Sequence, residues 1–199
     1  HGQDILMDQY GSDTVIFTDL KLEDARFMRE GDHLIIKGHG EDQLTINHHF
    51  FHANYQIENF QFGEQKLTLH DFWRDGLPLF GDGENRTING WDGANIIYGG
   101  SGNETITTSY SNDKIYGGDG DDIINAGAGN DKIYGGDGDD IINAGSGDDY
   151  VEAGAGNDII TDTRPDGIDG GGNDTYLFRQ GHGQDILMDQ YGSDTVIFT

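Results

Sequence analysis

The sequence has no cysteine, only two prolines and few basic residues. Without cysteine the chain can form neither disulfide bonds nor a thiolate metal site. Its 11 lysines and arginines are outnumbered by 37 aspartates and glutamates, which gives a net charge of −26. This charge excludes nucleic-acid binding through phosphate neutralisation and opposes attraction to an anionic membrane surface. No apolar run approaches the roughly 18 residues that a membrane-spanning helix needs.

Glycine and aspartate are abundant instead. The chain has 33 glycines, and its acidic residues are 29 aspartates and only 8 glutamates. Aspartate is favoured in turns and as a calcium ligand, whereas glutamate favours helices. With 34% hydrophobic residues at this net charge, apolar burial alone does not suffice to hold the chain folded. The composition therefore predicts a turn-rich protein whose acidic groups must be neutralised.

The two ends of the chain carry the same 18-residue sequence. Residues 1–18 read HGQDILMDQYGSDTVIFT, and residues 182–199 read the same. A second copy at a spacing of 181 residues indicates a piece of a longer tandem array, in which adjacent copies of the unit would be partners. A single duplication within one protein is the alternative.

A short repeat of nine residues covers the middle of the chain. Nine blocks fit end to end over residues 81–161, and a tenth, residues 169–177, follows an interruption at 162–168. One branched apolar residue returns at every eighth position of the first nine blocks: Ile88, Ile97, Ile106, Ile115, Ile124, Ile133, Ile142, Val151 and Ile160. The sixth position becomes acidic from Glu104 onward.

This spacing predicts a coil. Positions seven to nine suit a short strand, and the six glycine-rich positions before them suit a tight turn. Two blocks make one coil of 18 residues, so stacked coils give two parallel sheets around a thin core of eighth-position residues. Equivalent acids of successive coils then lie about 4.8 Å apart. A hard divalent cation such as Ca²⁺ would remove their repulsion, because it accepts carboxylate and backbone carbonyl oxygens.

Blocks such as GGDGDDIIN (residues 117–125 and 135–143) follow the pattern GGxGxDxUx, and with it the repeat region resembles the nonapeptide repeats of RTX exoproteins. The resemblance implies an all-β fold, a right-handed parallel β-roll of nonapeptide repeats with a smaller, mainly antiparallel flanking module. It also implies that several Ca²⁺ ions bind between coils. The implied metal ligands are the sixth-position acids and the turn glycines, which offer carbonyls: Gly100, Gly102, Glu104, Asp113, Gly118, Gly120, Asp122, Gly127, Gly129, Asp131, Gly136, Gly138, Asp140, Gly145, Gly147, Asp149, Gly154, Gly156, Asp158 and Asp174.

Departures from the pattern predict which of these sites bind calcium well and which bind it weakly. Arg86 and Asn95 stand where the first coil needs acids, so that coil is predicted to bind weakly or not at all. Residues 108–116 have lost every turn glycine, which puts the site of Asp113 in doubt. The best sites are therefore predicted where Asp122 pairs with Asp140, where Asp140 pairs with Asp158, and where Asp131 pairs with Asp149.

Residues 19–80 form a different module. They carry 6 basic and 11 acidic residues, a net charge of −5, whereas residues 81–177 carry 4 basic and 20 acidic residues, a net charge of −16. Alternating apolar residues predict strands at 33–37, 43–47, 55–62 and 66–70, and a helical turn could begin at Leu22. The module resembles the calcium-binding-related domain that follows RTX rolls. We therefore expect a preceding unit to end at residue 18, the module at 19–80, the roll at 81–177, and cap strands at 178–199.

Other chemistry is sparse. His48 and His52 have the spacing of a zinc pair, but no acid completes HExxH, and surface or half-buried imidazoles explain them better. Acids that recur at a fixed phase are structural before they are catalytic, so no enzyme is predicted. Tyr98, Tyr116 and Tyr134 lie 18 residues apart and should stack as a ladder on one sheet, either for stability or to dock a partner.

Two functions remain open. The first is a calcium-binding RTX module of a secreted bacterial-type exoprotein, unfolded at low calcium for export and folded by extracellular calcium. The second is an accessory module of an adhesin or enzyme, whose exposed β face binds polysaccharide or a host surface. Both place the chain outside the cell or at its surface.

Overall fold

The structure is a computed structural model, and it describes residues 3–7, 11–40, 42–49, 57–71, 76–81, 86–163 and 171–199. The chain divides into two compact units, His1–Leu79 and Phe80–Thr199. Among the described residues of each unit, the regular secondary structure is almost entirely β-strand.

The second unit is built from two parallel sheets. Its strands are Thr87–Asn89 (β9), Asn95–Ser101 (β10), Thr105–Thr107 (β11), Lys114–Asp119 (β12), Ile123–Asn125 (β13), Lys132–Asp137 (β14), Ile141–Asn143 (β15), Tyr150–Ala155 (β16), Ile159–Thr161 (β17), Thr175–Phe178 (β18), Ile186–Met188 (β19) and Thr195–Phe198 (β20). Odd-numbered strands form one sheet in the order β9 to β19, and even-numbered strands form the other in the order β10 to β20. Every strand therefore pairs with the strand one coil away, as the repeat predicts.

The core between these sheets is the column of eighth-position residues. All nine predicted residues are at most 3% exposed, and Tyr176 occupies the same position in the tenth block, fully buried. Each lies opposite its counterpart one coil away, for example Ile115 opposite Ile133 and Ile124 opposite Ile142. The predicted parallel β-roll is confirmed.

The roll continues beyond Leu177. Strand β19 pairs in parallel with β17, and β20 pairs in parallel with β18. Residues 180–188 and 189–197 thus act as two further nonapeptide blocks, which place Leu187 and Val196 at the eighth position. The two residues inserted before them, Phe178 and Arg179, conceal this phase in the sequence.

The first unit is mainly antiparallel within residues 19–80. Its strands are Gln3–Leu6 (β1), Thr14–Phe17 (β2), Arg26–Glu30 (β3), His33–Lys37 (β4), Gln43–Ile46 (β5), Asn59–Phe62 (β6), Gln65–Thr68 (β7) and Leu77–Phe80 (β8), whose last residue begins the second unit. Strands β3, β4 and β5 form an antiparallel meander, and β6 pairs antiparallel with β7. The predicted helical turn is a single 3₁₀ turn at Leu22–Asp24. Strand β1 joins β5 in parallel, and β2 joins β6 in parallel.

Candidate calcium sites

The sixth-position acids form two buried columns in the roll. From Glu104 to Asp158, and again at Asp174, these side chains are at most 3% exposed. Each Asp uses its Oδ1 atom to accept the backbone N–H of the sixth residue one coil earlier. The bonds run from Glu104 N to Asp122 (2.7 Å), Asp113 N to Asp131 (2.7 Å), Asp122 N to Asp140 (2.8 Å), Asp131 N to Asp149 (2.8 Å), Asp140 N to Asp158 (2.9 Å) and Asp149 N to Asp174 (2.7 Å). The structure therefore brings together all three pairs that the sequence ranks highest.

In six of these acids, all aspartates, the second carboxylate oxygen is buried and makes no hydrogen bond within the described residues. This holds for the Oδ2 atoms of Asp113, Asp122, Asp131, Asp140, Asp149 and Asp158. A buried carboxylate with an unsatisfied oxygen is costly in the ionised form unless a cation or a proton compensates it. Each of the six aspartates thus offers one oxygen for an ion and uses the other to hold the coil before it.

The pKa values of these acids reflect that cost. Burial raises the pKa of Asp131 to about 8, that of Asp140 and Asp149 to about 7, and that of Asp158 to about 6. Neighbouring carboxylates add to the rise, and the hydrogen bond from the preceding coil opposes it. Around neutral pH and without metal, these four aspartates are therefore only partly ionised.

The turns bring backbone close to these acids. All twelve glycines predicted as ligands have φ between +96° and +145°, a region that side-chain-bearing residues avoid. A Cβ atom at Gly117 would overlap both Asp122 Oδ2 and the carbonyl oxygen of Gly135. The oxygen without a partner therefore lies against the turn of its own block and beside a carbonyl of the next coil.

Asn95 occupies the sixth position of its block, with an amide in place of the acid, and its contacts show which groups surround that position. Its Nδ2 atom donates to Gly93 O at 2.8 Å, to Trp91 O at 3.2 Å and to Asp113 Oδ1 at 2.9 Å. Trp91 and Gly93 hold the second and fourth positions of its block. The amide group of Asn95 thus lies where two turn carbonyls and the carboxylate of the next coil converge. Weak calcium binding by the first coil stays a prediction.

A second ladder, at the fifth position, was not predicted. There the side-chain oxygen accepts the N–H of the fifth residue one coil later, as Asp121 does from Asp139 (2.9 Å) and Asn130 from Asp148 (3.2 Å). These side chains are exposed. The signal was present in the sequence, because from Asn103 to Asn173 every block has Asn or Asp at this position.

The remaining predicted positions differ in detail. Ser109 and Ser111 replace the turn glycines of residues 108–116 and have negative φ, since His48 is the non-glycine residue with positive φ among those described. Their turn therefore differs from the glycine turns. Asp185 and Asp194 extend the acid columns by accepting from Asp158 N and Asp174 N, each at 3.0 Å. They were missed because the phase changes after Leu177.

A buried histidine and a cluster of three aspartates are further groups of titratable residues. His49 is buried and accepts the N–H of Ile57, and burial lowers its pKa to about 4; His52, the other half of the spaced pair with His48, lies outside the described residues. Among described residues, Asp162, Asp174 and Asp189 place carboxylate oxygens within 4.8 Å of one another. The Tyr176 hydroxyl donates to Asp189 Oδ2 at 3.0 Å.

Calcium fits the columns. Their donors are hard oxygens, a buried carboxylate oxygen lacks a partner in six nine-residue blocks, and the glycine turns leave no room for a side chain beside it. Fold and site together define a calcium-binding parallel β-roll. The family model of the RTX calcium-binding nonapeptide repeat matches residues 79–103, 98–133 and 126–160. This region consists of RTX repeats and binds Ca²⁺ at several sites.

Comparison with curated proteins found no match to the chain. RTX repeats form a structural, non-catalytic module. No helix among the described residues is long and apolar enough to cross a membrane.

Proposed function

We propose that this chain is a calcium-folded module of a secreted exoprotein, unfolded at low calcium during export and folded by calcium outside the cell. The observation that carries the proposal is the set of six buried aspartates whose Oδ2 atoms have no partner. Their ionised forms oppose formation of the roll, and calcium binding removes that opposition.

The proposed ligands are the residues predicted from the sequence. The sixth-position acids provide their free oxygens, and the second and fourth turn positions provide carbonyls. The contacts of Asn95 support this set, because its amide donates to carbonyls of those two positions. Bound calcium would supply positive charge between two carboxylates that are one strand spacing apart.

Calcium sensitivity follows from thermodynamic linkage. A ligand site composed of groups from two successive coils exists only in the folded roll, so binding free energy becomes folding free energy. Extracellular calcium modules have dissociation constants of about 0.1–1 mM. The cytosol, whose calcium is far lower, would leave the roll open and suitable for export.

A far-UV circular dichroism titration tests this proposal. We expect the metal-free chain to lack most of the β signal of the roll, and to gain it cooperatively at about 0.1–1 mM Ca²⁺. Mg²⁺ at the same concentrations is the control, because it dehydrates reluctantly and demands octahedral geometry. A metal-free chain with full β signal and a sharp thermal transition would disprove the proposal.

The second candidate is binding of polysaccharide or a host surface by one face of the roll. A ladder of stacked rings favours it: Tyr98 lies 5.0 Å from Tyr116, and Tyr116 lies 4.9 Å from Tyr134, between ring centroids. Phe80 extends the stack, and the Lys114 ammonium lies 5.1 Å from the centroid of the Tyr116 ring. Aromatic rings beside a cation are suited to sugars and acidic groups.

Tyr116→Ser separates the two roles of this ladder. If the face binds a glycan, the variant should lose binding on a glycan array while keeping its calcium midpoint. A shifted calcium midpoint with no glycan binding by either protein would make the ladder purely structural.

A further inference from the structure

The same 18-residue sequence occupies two different positions in this protein. At the C-terminus its strands β19 and β20 lie at the ends of their two sheets, and one edge of each pairs with no strand of the described residues. At the N-terminus its strands β1 and β2 pair with β5 and β6 of the flanking module. We propose that the open end of the roll is the docking surface for the flanking module of a second, following copy of this unit, which adds the equivalents of β5 and β6 as the next coil.

The backbone hydrogen bonds show that the two sets of pairings are compatible. In the C-terminal copy, Ile186 N donates to Asp158 O and Thr195 N donates to Asp174 O. In the N-terminal copy, Leu6 O accepts from Asn47 N and Asp13 O accepts from Asn59 N. Leu6 and Asp13 correspond to Leu187 and Asp194, which neighbour the residues bonded within the roll. Because successive residues of a strand direct their polar groups to opposite edges, one copy can make both sets of bonds at once.

The core continues across this junction. Val196 holds an eighth position, yet it is 45% exposed because no strand of the described residues packs on the outer edge of β20. Its N-terminal counterpart Val15 lies opposite Phe60, and Leu6 lies opposite Ile46; Phe60 and Ile46 are fully buried. Strands β5 and β6 thus present buried apolar residues at the register that the next coil of the roll would need.

The carboxylate ladder continues as well. Within the roll, Asp174 N donates to the Oδ1 atom of Asp194, the acid of the next coil. In the N-terminal copy, Asp13 corresponds to Asp194, and its N–H donates to Glu58 Oε2 at 2.9 Å. Glu58 immediately precedes β6, as a sixth-position acid precedes its strand. The module therefore supplies the acceptor that the last coil requires.

An aromatic stack follows the same register. Phe198 stacks on Phe178 with ring centroids 5.4 Å apart, and Phe198 is 70% exposed. Its counterpart Phe17 stacks on Phe62 at 4.7 Å with the rings 8° from parallel. A following module would place its copy of Phe62 against the exposed ring of Phe198.

Extending the chain tests the proposal. A second copy of residues 19–80 is joined after Thr199, and amide hydrogen exchange is measured by NMR in saturating Ca²⁺ for the chain with and without the extension. We expect the amides of Leu187, Val196 and Phe198 to exchange at least about tenfold more slowly in the extended chain, because their edge becomes paired. The amides of Ile186, Thr195 and Thr199 already donate within the roll and serve as internal references.

A variant of the extended chain checks the register. In the extended chain the amide of Asp194 should also exchange slowly, because it donates to the added copy of Glu58. Replacing that glutamate by Leu should restore fast exchange at the amide of Asp194, while the calcium-induced β signal of the roll persists. If the added segment folds but Leu187, Val196 and Phe198 exchange as fast as in the original chain, the proposal is wrong. Equal protection of Asp194 with and without the added glutamate would refute the assigned register.

Discussion

The backbone N–H of Asp122 donates to the Oδ1 atom of Asp140, 18 residues later, at 2.8 Å, while Asp140 Oδ2 is buried without a hydrogen-bond partner. One carboxylate thus has two tasks. The first oxygen connects successive coils, and an amide oxygen could do the same. The second oxygen has no role in the metal-free hydrogen-bond network, and it is the one that we assign to calcium.

Asp140→Asn should separate the two tasks. The amide oxygen can keep the bond to Asp122 N, whereas the NH₂ group cannot ligate calcium and can donate to turn carbonyls as Asn95 does. We expect the calcium midpoint of folding to rise several-fold and fewer ions to bind, with a calcium-free roll that is more stable than in the original chain. Circular dichroism and isothermal titration calorimetry measure these quantities.

Asp121→Asn is the matched control, since it removes the same charge from an exposed neighbour and preserves the acceptor for Asp139 N. Its midpoint should stay close to that of the original chain. Equal shifts for the two variants would show that net charge alone, and not the buried oxygen, sets the calcium response.

Asn95→Asp should create a site in the first coil. The change removes the amide that bonds Trp91 O and Gly93 O and places a carboxylate there, opposite Asp113. We expect one more calcium ion per chain in calorimetry and a less stable first coil without calcium, because a donor is lost and a negative charge is buried. An unchanged stoichiometry would contradict the proposed ligand geometry.

Acid should partly replace calcium. Folding raises the pKa of Asp131, Asp140, Asp149 and Asp158 from 3.8 to between about 6 and about 8. A raised pKa in the folded state means that these groups favour folding most below pH 3.8 and lose that contribution as the pH rises through 6 to 8. In calcium-free buffer the β signal should therefore be larger at pH 5 than at pH 8.

Calcium and protons should also compete for these acids. With calcium present, the midpoint should increase as the pH falls from 8 to 6, because the ligands must lose their protons to bind the ion. A calcium-free signal that grows with pH would overturn the assignment of these raised pKa values to the folded roll.

Gly120→Ala tests the close approach of successive turns. Gly120 has φ of +123°, and a Cβ there would overlap Gly102 O of the preceding coil. We expect a loss of about 2 kcal/mol or more in the free energy of unfolding, from backbone strain and displacement of the coil. Gly181→Ala is the control, because φ is +95° but no atom lies within 4 Å of the added carbon; its cost should be about 1 kcal/mol. Similar losses would mean that coil contact contributes little.

The nine-residue period predicted most of the fold. A branched apolar residue at every eighth position can be buried along the whole repeat only if each coil takes two blocks, which decides the two parallel sheets and their register. The acid at the sixth position likewise predicted the buried columns at Asp122, Asp131, Asp140, Asp149 and Asp158. Local periodicity suffices for these features because each coil contacts only its neighbours.

The phase after Leu177 was missed because two inserted residues shift it, and only strand pairing with β17 and β18 shows that Asp185 and Asp194 belong to the columns.

The direction of the side-chain bonds was decided by the tertiary structure alone. A sixth-position acid accepts from the coil before it, and a fifth-position side chain accepts from the coil after it, although both residue types are short and polar. This choice depends on which way each side chain leaves the turn once the coils are stacked. The pairing of the duplicated sequence was also decided by the tertiary structure. Its first copy, in residues 1–18, pairs with strands of the flanking module, and its second copy, in residues 182–199, pairs with strands of the roll. The strand Thr14–Phe17 recurs as Thr195–Phe198, but which edge of it is paired depends on the chain packed beside it.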